Sequence, residues 1–210
     1  ELNQIYIGVG NGGPYDPSVR SPGNGDNLYL ASVVALDADT GKMAWYFQET
    51  PGDTWDYTAT QPIVLADIAI NGKMRKVLMH APKNGFFYVL DRTNGEFISG
   101  SKLAKRITWA TGLDAKGRPI EAEGARYKYN PVRISPSNLG THNWQAMAYS
   151  PVTGLVYIPG SESSAVFARD PAFEFAHGNQ NAGTSTPQRP RDDQGKAIPG
   201  QVPNVPIVEP

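Results

Sequence analysis

An amide and a carboxylate in this sequence have the chemistry to serve a hard cation. Asn11 lies in the run Gly8-Val9-Gly10-Asn11-Gly12-Gly13, at what reads as a strand end. Its amide oxygen could reach a ligand there. Asp56 stands between Trp55 and Tyr57, aromatics that strip water from a carboxylate and raise its basicity. Amide and carboxylate oxygens are donors that calcium accepts. Both residue types are also common turn formers, and Asp56 could equally cap a turn. Lys83, in His80-Ala81-Pro82-Lys83-Asn84-Gly85, follows a buried-looking strand and precedes an Asn-Gly turn. An ammonium there could serve an anionic or carbonyl-bearing ligand, or simply face water. His142-Asn143-Trp144 is a further polar group, although a lone histidine in such a place is usually hydrogen-bonded and structural.

Several other chemistries fail at this point. No Ser-His-Asp set, H-E-x-x-H or phosphate loop occurs. The glycine run satisfies G-x-G-x-x-G, but Pro14, Pro17 and Pro22 follow it. They leave no place for a helix to offer its N-terminus to a pyrophosphate, so a dinucleotide site is rejected.

The elements that must hold these residues repeat. Val33 to Trp45, Phe86 to Phe97 and Ala146 to Tyr157 each run from β-formers through a turn ending in Gly41, Gly95 or Gly154 and back into β-formers. This pattern predicts hairpins with glycine at positive φ. The repeats fall roughly 50 to 60 residues apart, the length of a four-stranded propeller blade with its loops. Further strands are predicted from Pro62 to Ile68, Lys76 to His80 and Leu155 to Pro159, and Phe173 to Ala176 offers at most a turn. Similar sheets without helices favour a propeller over a sandwich, the plainer alternative.

Composition agrees with a globular β protein: 40% hydrophobic, 19% charged, with 22 glycines and 18 prolines. A net charge of −1 without a basic stripe argues against nucleic acid. No apolar run approaches the roughly 20 residues of a membrane helix. The absence of cysteine excludes disulfides, thiolate metal sites and haem attachment within this segment. The chain opens at Glu1 without Met or leader and ends in the polar, proline-punctuated stretch Gln188 to Pro210. The expectation is a piece cut from a longer protein, with blades over 1–175 and a Pro/Gly-rich polar loop or truncated continuation over 176–210.

Together these motifs resemble one family, the pyrroloquinoline-quinone (PQQ)-dependent alcohol dehydrogenases. Ala35-x-Asp37-x-x-Thr40-Gly41-Lys42-x-x-Trp45 is similar to the tryptophan-docking repeat that interlocks their propellers, and the Phe86 hairpin is a degenerate copy with Ser99 in place of Trp. The likeness covers Gly8 to Tyr15, Arg20 to Tyr29, Thr50 to Tyr57, His80 to Arg92 and Thr141 to Pro159, in family order. It implies an all-β fold of about three blades of an eight-bladed propeller.

The resemblance also implies roles. Asn11 and Asp56 would be calcium ligands, Asp56 the catalytic general base, and Lys83, Asn143 and Trp144 PQQ contacts. The implied reaction is alcohol oxidation to aldehyde by hydride transfer to calcium-bound PQQ, in the periplasm, with cytochrome c as electron acceptor. The family's glutamate ligand, vicinal cysteines and ring-stacking tryptophan would lie before residue 1, so this segment alone is expected to be inactive. Thr58 stands where lanthanide-using relatives carry an extra aspartate, which implies calcium. The wording Ala81-Pro82-Lys83-Asn84-Gly85-Phe86-Phe87 is closer to the quinohaemoprotein branch. That branch adds a haem c domain C-terminal to the propeller, in some cases within a membrane complex.

Two rivals remain. A non-catalytic propeller scaffold of outer-membrane protein assembly would share the repeat but have no use for Asn11, Asp56 and Lys83 together. A sugar or polyol quinoprotein is not distinguished by this segment.

Overall fold

The computed structural model describes residues 1–23, 25–185 and 194, and its architecture is β with one helical turn. The stretch 188–210 lies outside the described residues apart from Gln194.

The first antiparallel sheet orders β1 (Gln4–Gly8), β2 (Ser32–Asp37) and β3 (Met43–Gln48). The second orders β4 (Val64–Ile70), β5 (Lys73–His80), β6 (Phe86–Asp91) and β7 (Phe97–Lys102). A short pair follows, β8 (Ala110–Leu113) with β9 (Pro119–Glu121). Next come β10 (Val132–Ile134) and the hairpin of β11 (Ala148–Ser150) and β12 (Leu155–Tyr157). Last are β13 (Ala165–Arg169) and β14 (Thr184–Ser185), which join β10 in a separate sheet.

The three predicted hairpins are β2–β3, β6–β7 and β11–β12, with Gly41, Gly95 and Gly154 at φ +68°, +78° and +69°. Asp37 and Asp91 close their turns alike, each carboxylate accepting from the backbone N–H and hydroxyl of a following threonine, Thr40 or Thr93. The bulge also recurs, between Ala35 and Leu36 and between Val89 and Leu90. Trp45 therefore pairs with Ala35 as Ser99 pairs with Val89.

Packing makes the sheets a radial stack. Leu78 and Leu90 of the second sheet meet Val33, Ala35 and Trp45 of the first. Its other face carries Val77, Met79 and Val89 against Met147, with Tyr149 and Val156 of the β11–β12 hairpin. Buried on both faces, β5 and β6 need continuous apolar runs, which explains Val77-Leu78-Met79 and Val89-Leu90. Trp45 docks onto the neighbouring blade as the repeat predicts. A β-carbon on Gly95 would lie 2.6 Å from Trp45 Cε3, and the indole N–H donates to the Arg92 carbonyl at 3.2 Å.

Two expectations need correction. Only β4–β7 forms a four-stranded sheet among the described residues, since the first sheet has three strands and the third hairpin stands as a pair. A helical turn, α1 (Pro17–Arg20), does begin in the proline-rich segment. Proline suits the first helical position, where its missing N–H would have no partner anyway. The Asp16 carboxylate caps that turn through Ser18 N–H, and the glycine run leads into an antiparallel pairing of β1 with β2. The rejection of a dinucleotide fold stands.

Candidate functional site

The candidate site forms where loops leave the first two sheets. β3 runs out into 49–57, a segment whose Thr50, Asp53, Thr54, Trp55 and Tyr57 are wholly buried. Asp53 Oδ1 accepts the N–H groups of Trp55 and Tyr57, both at 3.1 Å. Those bonds straddle Asp56 and fold the chain sharply enough to hold it at φ +63°. A non-glycine residue there is strained by about 1 kcal/mol or more, so its surroundings must enforce it. The loop is also stitched to the end of β1, where Val9 O accepts from Ala59 N at 3.0 Å. Residue 8 must be glycine, because a β-carbon there would fall 1.9 Å from Ala59 O.

Lys83 is brought in by β5. His80, at the strand end, places Nδ1 2.8 Å from the buried Glu49 carboxylate and Nε2 3.1 Å from Gln61 O. The carbonyl can only accept, so Nε2 carries hydrogen and a second proton lies between His80 and Glu49. On the other side of Lys83, Asn84 donates to Glu49 O, Thr50 Oγ1 and Tyr88 Oη. Gly140 seals the position, as a β-carbon there would lie 2.7 Å from Lys83.

These anchors set the Lys83 ammonium 3.3 Å from Asp56 Oδ2, with side-chain exposures of 11% and 16%. So little solvent distinguishes the pair from a surface ion pair. Burial raises the Asp56 carboxyl above its ordinary range, while Lys83 and the Tyr15 hydroxyl, which bonds it, pull it back. Trp55 and Tyr57, which flank Asp56 in sequence, pack on Trp109 with centroids 4.8 and 5.5 Å away, and the Trp109 indole N–H donates to Asn84 O next to Lys83. The arrangement can hold a desolvated base beside a fixed cation.

Asp56 and Lys83 are thus brought together. Asn11 lies on the loop that supplies Tyr15, half-buried and without a side-chain hydrogen bond among the described residues. The bonds reaching Asp56 come from Lys83 and Tyr15 instead. Asn143 donates to Leu139 O on the loop that packs over Lys83 through Gly140, and Trp144 is 79% exposed. His142 is structural, its ring nitrogens 2.6 Å from Ala81 O and 2.8 Å from Gln145 O. Among the described residues no cluster of three His, Cys, Asp or Glu side chains is positioned to hold a metal ion.

Residues 1–102 match the family model described as the PQQ glucose/ethanol/alcohol dehydrogenase, beta-propeller domain. The chain is 58% identical over 171 residues to quinohemoprotein alcohol dehydrogenase ADH IIB of Pseudomonas putida, spanning 81% of this chain and 25% of that one. It is 55% identical over 188 residues to the quinohemoprotein alcohol dehydrogenase of Comamonas testosteroni, spanning 90% and 26%. The crystal structure of the Comamonas testosteroni enzyme superposes with TM-score 0.83 at 50% identity, over 87% of this chain and 28% of that one. This chain belongs to the PQQ-dependent alcohol dehydrogenase family. A europium-containing methanol dehydrogenase is a more distant member of the same fold, with TM-score 0.81 at 31% identity over 87% of this chain and 32% of that one. The chain spans about a quarter of the length of these curated quinohemoprotein relatives.

Four groups of this quinoprotein segment escaped the sequence reading as contributors to the site. Tyr15 was visible only as the aromatic of its motif. Asp53 carries no local signal of its role, and the His80–Glu49 pair joins residues 31 apart. Arg126 and Tyr127 grip the Asp56 loop from a strap more than 70 residues away, which no local motif marks.

Proposed function

We propose that this chain carries the base-bearing part of a dehydrogenase that oxidises small alcohols to aldehydes with calcium and PQQ. The observation carrying this reading is the Asp56–Lys83 pair, a carboxylate and an ammonium 3.3 Å apart, nearly dry and backed by aromatics. The residues fit the groups the family uses. Asn11 offers a half-buried amide without a side-chain hydrogen bond among the described residues, and Asp56 a carboxylate, both hard oxygen donors suited to calcium. The Lys83 ammonium suits an anionic quinone, with Asn143 and Trp144 assigned to its rim.

Bound there, PQQ would supply the hydride acceptor and calcium a Lewis acid beside it. The protein's own part is proton handling. Asp56 takes the alcohol hydroxyl proton as general base, a role favoured by a carboxyl raised through burial. Lys83 and Tyr15 hold the carboxylate in one orientation, and Trp55, Tyr57 and Trp109 keep water away. A scaffold would need none of this polar geometry.

The parent is assigned to the periplasm, with cytochrome c as electron acceptor. Among the relatives, one from Thauera butanivorans is named 1-butanol dehydrogenase (cytochrome c), and one from Komagataeibacter europaeus is named a dehydrogenase subunit. In line with the quinohemoprotein names, the parent is assigned a haem c module beyond residue 210, and subunit membership of a membrane complex is the corresponding extension. No helix among the described residues is long and apolar enough to cross a membrane. The test is turnover of 1-butanol by the full-length parent loaded with PQQ and calcium, using a dye acceptor. Asp56→Asn should lower kcat by about 10²- to 10⁴-fold. Wild-type turnover in that variant would refute the assignment, and a haem spectrum of the purified parent checks the module.

A further inference from the structure

We infer that Arg126 is a positioning residue for Asp56: its guanidinium fixes the loop that holds Asp56 in its left-handed conformation. The inference rests on Asp56 being the base. Among the described residues the Asp56 carboxylate bonds Lys83 and Tyr15, and neither bond sets the backbone that aims it. That backbone is folded by the Asp53 bonds and braced from the strap between β9 and β10. Arg126 Nη1 donates to Gly52 O at 2.8 Å and Nη2 to Pro51 O at 3.3 Å. The same guanidinium lies over the Trp55 ring, 5.3 Å from its centroid.

Trp109 lies 4.8 Å from that ring, centroid to centroid. The Trp55 indole N–H donates to Ala125 O, next to Arg126, at 3.0 Å. Tyr127 then bonds the Thr54 hydroxyl and carbonyl. Arg126 is itself fixed, Nε donating to Glu121 Oε2 at 2.8 Å and Nη2 to Glu121 Oε1. Contacts thus run unbroken from Glu121 through Arg126 to Pro51, Gly52 and Trp55, ending at the residue before Asp56. Loosening that chain removes the outer support of the Asp53-anchored turn that holds Asp56 at φ +63°. Only a planar fork can meet a carboxylate, two carbonyls and an aromatic face at once, which a lysine cannot.

The test uses the full-length parent loaded with PQQ and calcium, with 1-butanol as probe and a dye acceptor. Arg126→Met should lower kcat by about 10²-fold, as a misplacement near 1 Å does, while KM stays within about twofold. Arg126→Lys should recover little of that loss, because charge is kept but the fork is gone. Glu121→Gln, which leaves Arg126 in place, should give a smaller fall in kcat with the same constant KM, and covers the case that Arg126→Met does not fold. A crystal structure of Arg126→Lys should show Asp56 departed from positive φ. Full activity in Arg126→Lys, or a rise in KM with kcat intact, would overturn the inference. Asp56→Asn run alongside separates the levels. If it retains turnover, the base assignment is what fails; if it is dead while both Arg126 variants match wild type, only the positioning role falls.

Discussion

At the scale of single residues, the site places a carboxylate where burial and a neighbouring cation oppose each other. Lys83 lowers the proton affinity of Asp56. Lys83→Met should therefore raise it, and the acidic limb of the kcat/KM profile of the parent should move to higher pH. Asp53 behaves differently. It is fully buried, its Oδ2 has no hydrogen-bond partner among the described residues, and burial lifts its carboxyl to about 6 from 3.8. A group raised on folding stabilises fully below its unfolded value and loses that contribution as pH rises through the folded one. Stability should thus fall between about 3.8 and about 6, by on the order of 3 kcal/mol for a shift of this size. Asp53→Asn should flatten that dependence in thermal melts of the parent across the window, and an unchanged slope would reject it. Asp56 and Lys83, which the fold brings together, stood out in the sequence because each sits in a short, distinctive motif. Arg126 stayed hidden because the meaning of that residue lies 74 positions away, at Gly52 O, and nothing local marks such a partner.

Among elements, the hairpins were the most legible feature, since apolar alternation and a positive-φ glycine are encoded within about a dozen residues. Docking between sheets was legible only as a repeat, and its physical content lies in Trp45 against Gly95. Trp45→Ala should destabilise by about 3 to 5 kcal/mol, the range for emptying a buried aromatic site. Gly95→Ala should act from the other side. Its φ of +78° disfavours a side chain, and the new β-carbon would meet the indole 2.6 Å away. Denaturant titration of each variant checks both, and a double variant less destabilised than the sum would show that they report one contact. The helical turn at Pro17 departs from the sequence expectation because proline breaks a helix interior but starts one readily. Its tolerance at the first helical position depends on a capping residue, here Asp16.

For the whole molecule, the metal question is posed by Thr58, which adds no charge beside Asp56. A trivalent ion gains more than a divalent one from an extra carboxylate, so the parent should turn over alcohol with calcium and not with lanthanides alone. Reconstitution of metal-free parent with each ion decides it, and lanthanide-only activity would reverse the assignment. The related europium-containing methanol dehydrogenase makes this a live contrast within one fold. The docking contact also imposes an order in time. Trp45 bonds the carbonyl of Arg92, 47 residues further along the chain. On a ribosome adding about 5 to 20 residues per second, that partner emerges some 2 to 9 seconds after the indole does. Each blade of this kind leaves the tunnel with its largest apolar group bare and waits for the next to cover it. Assembly is therefore directional, and the interval before Arg92 appears is when a nascent chain most needs a chaperone's cover.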